Sequence, residues 1–135
     1  VTATVISRFA LAVPPGPYEK RPLRCCLLED GAPTRAMLPG YVLLHQFELS
    51  EGYLFITDFD CPHEEATVFS LASPTLRDIE SATLGGAYVT FLLRDVEWLE
   101  EDRLHAVFCD DDRWELLIRP KRFLRPRLRL RRVSK

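Results

Sequence analysis

Apolar and polar residues alternate along most of this chain with the period of two that marks β-strands. Tyr41, Leu43, His45, Phe47 and Leu49 share one face of an extended segment, and Trp114, Leu116 and Ile118 share one face of another. In 53–59 the pattern changes. Tyr53, Phe55, Thr57 and Phe59 fall on one side and Leu54 and Ile56 on the other, so this segment reads as a central strand covered on both faces. The same reading predicts strands over 2–13, 22–29, 34–38, 66–71, 76–81, 103–109 and 123–133. Residues 87–99 fit a short helix as well as a strand, but Tyr88, Val89, Thr90, Phe91 and Val96 favour strand.

Turn residues punctuate these runs. Pro14-Pro15-Gly16-Pro17 ends the first, because proline donates no ladder hydrogen bond and restricts the residue before it. Glu29-Asp30-Gly31, Pro39-Gly40, Ser50-Glu51-Gly52, Ser73-Pro74, Gly85-Gly86, Glu100-Glu101-Asp102 and Asp110-Asp111-Asp112 punctuate the rest. Leu44–Asp58 and Leu93–Phe108 share a strand, acidic turn, strand pattern, with Glu48 and Glu97 in matching places. Two blade-like four-stranded meanders follow from that match, although two blades cannot close a propeller ring.

The fold expected is therefore mainly β with little helix. Antiparallel hairpins form two packed sheets, as a sandwich or a partly open barrel. At 135 residues the chain has the length of one domain. It divides into N-terminal strands (1–40), a core meander (41–118) and a basic C-terminal strand or tail (119–135). The expected core includes Phe9, Leu27, Leu43, Phe47, Phe55, Val68, Phe69, Phe91, Phe108, Trp114 and Leu116.

Composition is that of a globular protein, with 47% hydrophobic and 28% charged residues. No apolar run approaches the roughly 18 residues of a membrane span. The apolar N-terminus lacks a basic flank and reads as a strand rather than a signal-peptide remnant. Cys25, Cys26, Cys61 and Cys109 form no C-x-x-C pair, and a reducing, cytoplasmic setting is expected.

Charge changes the picture more. The net charge of −2 conceals an asymmetry: nine of the 18 Lys/Arg fall in 119–135, which holds no acid. The first 118 residues carry the other nine against all 20 acids. Arg125, Arg127, Arg129 and Arg131 alternate at strand spacing, the pattern of a cationic face that contacts nucleic-acid phosphates. The acidic body opposes that use by repelling polyanions, and favours pairing of these arginines with its own acids.

The richest chemistry lies in 58–65, with Asp58, Asp60, Cys61, His63, Glu64 and Glu65. These are metal-ligand types, and a small Zn- or Ca-dependent hydrolase is one reading. The spacing matches neither an EF-hand nor a zinc finger, so no metal or cofactor is expected. Cys61 or Cys109 beside His45, His63 or His105 offers a thiol nucleophile, and Asp58 with Asp110 an acid–base pair, but no local signature accompanies either. Phosphate-binding glycine loops and nucleophile elbows are missing from the sequence. The favoured expectation is a non-enzymatic protein-binding domain, monomeric or an edge-paired homodimer. It meets a basic partner through Asp58, Asp60, Glu64, Glu65, Asp110, Asp111 and Asp112, as an immunity-type inhibitor of a toxin does.

Overall fold

The computed structural model describes residues 3–60, 64–87, 92–121 and 125–134. Its strands, in chain order, are β1 (Thr4–Val5), β2 (Phe9–Ala12), β3 (Arg24–Glu29), β4 (Ala32–Pro39), β5 (Val42–Leu49), β6 (Gly52–Asp58), β7 (Glu64–Ala72), β8 (Ile79–Ala87), β9 (Leu93–Glu100), β10 (Arg103–Phe108), β11 (Arg113–Ile118) and β12 (Leu128–Ser134). Short 3-10 turns at Tyr18–Lys20 and Cys109–Asp111 are the helical elements of the described residues.

The strands form three antiparallel sheets, none closed into a barrel. β5–β8 make one meander, with β1 added outside β5. β9–β12 make a second meander, and β2–β4 a third, smaller sheet. The two meanders begin alike: Leu49 pairs Gly52 across Ser50-Glu51, and Glu100 pairs Arg103 across Glu101-Asp102. Gly52 is required in the first hairpin. It has φ +145°, and a Cβ there would stand 2.1 Å from the Ala72 carbonyl oxygen. Asp30 (φ 51°) and Gly31 (φ 84°) connect β3 to β4 with the paired positive φ angles of a type I′ turn.

Two apolar cores stack these sheets in three layers. In the larger, Phe47, Leu54, Ile56, Phe69, Leu71 and Leu84 of the first meander meet the second meander's Leu104, Ala106, Phe108, Leu116, Ile118 and Leu128. In the smaller, Phe9, Leu27, Ala36 and Leu38 of the three-stranded sheet meet Phe55, Ala72 and Leu76. The β5–β8 sheet is the middle layer, which is why β6 is apolar on both faces. Buried polar groups within it are paired: Thr57 donates to the Pro39 carbonyl at 2.6 Å, and the Ser70 and Ser81 hydroxyls lie 2.7 Å apart.

The strand pattern expected from the sequence needs three corrections. Residues 2–13 are not one strand, because the chain leaves the β1 pairing and enters another sheet as β2. Arg8 marks that switch: its guanidinium contacts Glu29 at 3.1 Å, Glu48 at 3.5 Å and the Tyr53 hydroxyl at 2.7 Å. In β5 the register shifts between Leu43 and His45. This bulge puts Leu43 against the smaller core while Phe47 belongs to the larger, so the five residues from Tyr41 to Leu49 do not share a face. Strand β8 starts at Ile79, after a turn containing Leu76 at φ 63°, and runs through Gly85-Gly86 instead of breaking there. The basic C-terminus forms strand β12, paired with β11.

Of the expected core, Leu43 and Trp114 are half-buried at the cores' margins, and Phe91 lies outside the described residues. Among the described residues no helix is long and apolar enough to cross a membrane.

Candidate functional site

Alternating turns of a meander lie at opposite ends. The Glu101 carboxylate accepts the Ser50 N–H, so the β5–β6 and β9–β10 turns share one end of the sandwich. The end of β6, the start of β7 and the β10–β11 turn therefore share the other, and these carry the acids singled out from the sequence. Asp58 Oδ1 accepts the Asp60 N–H at 3.1 Å, which shapes the turn leaving β6. Asp60 (φ 50°) and Asp111 (φ 57°) are exposed and left-handed, a conformation aspartate tolerates. Glu64 and Glu65 open β7, in register with Ala87 and Gly86, and Asp110 sits in the Cys109–Asp111 turn.

Asp112 differs from its neighbours. Its side chain is buried, and Arg132 holds it in a two-pronged pair at 3.1 and 3.2 Å while stacking 5.0 Å over the Trp114 ring. Cys61 and His63 lie outside the described residues. Among the described residues no group of three or more His, Cys, Asp or Glu side chains is placed to hold a metal. Cys25, Cys26 and Cys109 are free thiols, and His105 is engaged by Glu115.

A second charged arrangement crosses the outer face of the β9–β12 sheet. Register sets Glu97, His105, Glu115 and Arg131 in one row over four strands. His105 Nε2 lies 3.0 Å from Glu115, Arg131 donates to its other oxygen at 2.8 Å, and Arg103 stands 4.0 Å away. Only 5% of the Glu115 side chain is exposed. The hydrogen bond with His105 holds its carboxyl below the usual carboxylate range, helped by Arg131 and Arg103 and opposed by burial. The sequence signal for this row was a glutamate between Trp114 and Leu116, with opposite charges at alternate positions of neighbouring strands.

At the end opposite the acidic turns, Leu49, Leu71 and Ile118 floor a cleft of 410 Å³. It adjoins clefts of 570 and 220 Å³ that share Arg127 and Arg119 with it. Five Arg/Lys and five Asp/Glu line the three together, so the groove has no net sign with which to select an anion. Comparison with protein-family models, with curated proteins and with solved structures finds no match to the chain.

Proposed function

We propose that this chain is a non-enzymatic protein-binding domain that engages a basic partner through the acidic turns at one end of its sandwich. The observation that carries the reading is the placement of exposed Asp60 and Asp111, one from each meander, at the same end. Two acidic turns on a rigid β scaffold form a surface that steers and orients a cationic protein. An immunity-type inhibitor, covering the phosphate-binding face of a basic toxin, is the concrete form of this proposal.

The arginines bear on the competing RNA-binding reading. Arg119, Arg127, Arg131 and Arg132 each bond to groups of the chain itself, which removes them from a phosphate-binding face. The test is capture of partners from a lysate by the intact chain and by a variant combining Asp58→Asn, Asp60→Asn, Glu64→Gln, Glu65→Gln and Asp111→Asn. A stoichiometric basic protein that is lost from the variant and at high salt supports the proposal. A partner that binds both forms equally overturns it. Stoichiometric metal in the purified chain, lost on His63→Ala, transfers the weight to the hydrolase reading.

A further inference from the structure

Sheet edges expose unpaired backbone groups, and most edges of this molecule are blunted. β1 is two residues long. β2 is capped where it begins, because the Gln46 amide bonds both the N–H and the C=O of Phe9 at 2.9 Å. β4 carries Pro33 and Pro39 and a register shift. In β9 the Asp95 carboxylate accepts the N–H of Val96 at 2.9 Å, and Asp95, Glu97 and Glu100 flank the remaining groups with negative charge.

β12 is guarded only at its start. Ile118 N–H bonds Asp102 on the β10 side, whereas Arg119 N–H bonds Arg127 on the β12 side. Antiparallel alternation then directs the backbone groups of Arg129 and Arg131 toward β11, and those of Leu128, Leu130 and Arg132 away from it. Glu80 of β8 takes the N–H groups of Arg127 and Leu128 at 2.9 and 2.7 Å. Beyond that fork, the outward N–H and C=O of Leu130 and Arg132 have no partner among the described residues. Exposed side chains of Arg129 and Arg131 flank them on the outer face, and Arg129 makes no ion pair among the described residues.

We propose that β12 is a strand-addition site for an extended segment of a partner protein with acidic residues at alternate positions. Backbone hydrogen bonds to Leu130 and Arg132 hold the segment, and Arg129, whose guanidinium is not engaged by Glu115 as that of Arg131 is, selects its carboxylates. The Glu80 fork is an internal instance of a carboxylate filling the same edge. This site is separate from the acidic turns, and their neutralisation leaves it intact.

The probe is a peptide of about seven residues, the length of β12, alternating glutamate with valine and threonine; its lysine counterpart is the control. Amide NMR of the intact chain should show the Leu130 and Arg132 resonances moving on titration with the acidic peptide. Arg129→Glu, a change at an exposed residue, should weaken binding by about tenfold or more, as should high salt. The lysine peptide should bind no better than to that variant. Equal binding of both peptides, insensitivity to Arg129→Glu, or shifts confined to other strands overturns the proposal. So does concentration-dependent self-association that moves the same amides without peptide, which would assign the edge to a second copy of the chain.

Discussion

The two meanders share strand order and hairpin length but differ in what covers them. β6 sends Leu54 and Ile56 into one core and Phe55 into the other, all fully buried. In β10, Leu104, Ala106 and Phe108 are buried, while Arg103, His105 and Val107 face outward half-buried. A middle-layer strand is enclosed on both faces, so its sequence is a continuous apolar run. An outer-layer strand meets a core on one face only, and its other face has room for ionisable groups. Charge is thus confined by layer as well as by loop. The Glu115 row occupies a position whose counterpart in the β5–β8 sheet is packed against a second core.

This difference predicts unequal tolerance. Phe55→Ala removes a ring that touches Phe9 edge-on at 5.0 Å and holds the small sheet to the middle layer. It should cost about 3–5 kcal/mol in urea unfolding, as buried Phe truncations do. Val107→Thr, on the outward face of β10, should stay within about 0.5 kcal/mol. Equal losses at the two positions would show that the layers are not distinct.

Next in size is the charged row. Glu115→Gln keeps shape but removes the charge on which His105 and Arg131 converge, and should cost roughly 1.5–3 kcal/mol. Arg131→Gln should cost less, about 0–1 kcal/mol, since its side chain is 60% exposed and water replaces much of the contact. A double-mutant cycle measures the coupling, and a coupling near zero would make the row incidental to stability.

How legible this was from the sequence follows the same division. Tyr53–Phe59 announced a doubly covered strand because apolar residues on both sides of a period-two pattern have one physical reading. The sequence also paired Leu44–Asp58 with Leu93–Phe108, and these do open the two meanders. The third sheet was illegible, since the switch near Arg8 depends on Glu29, Glu48 and Tyr53, all distant in sequence. The bulge in β5 was hidden for a related reason: only the partner strand defines a register shift. Among the candidate acids, Asp60 and Asp111 are exposed as loop residues should be. Asp112 is buried, because Arg132, 20 positions later, returns beside it through the β11–β12 pairing.

The smallest expected effect is the dependence on pH, and it also separates the faces. His45 stacks on Phe47, with ring centroids 5.9 Å apart, at the margin of the larger core. Burial lowers its pKa from the ordinary 6.5, and the negative charge of Asp95 only partly opposes this. The folded chain therefore binds fewer protons than the unfolded chain, and stability is lost as pH falls from 6.5 toward the lowered value. Glu115 acts in a more acidic window. Its folded carboxyl is depressed below the ordinary 4.5, so its contribution is complete above that value and disappears as pH falls through the folded one. Acid titration of the unfolding midpoint should give a first decline that His45→Phe removes and a second that Glu115→Gln removes. If His45→Phe leaves the first decline in place, another group titrates there, and the core margin at His45 is open to water rather than closed by the two sheets.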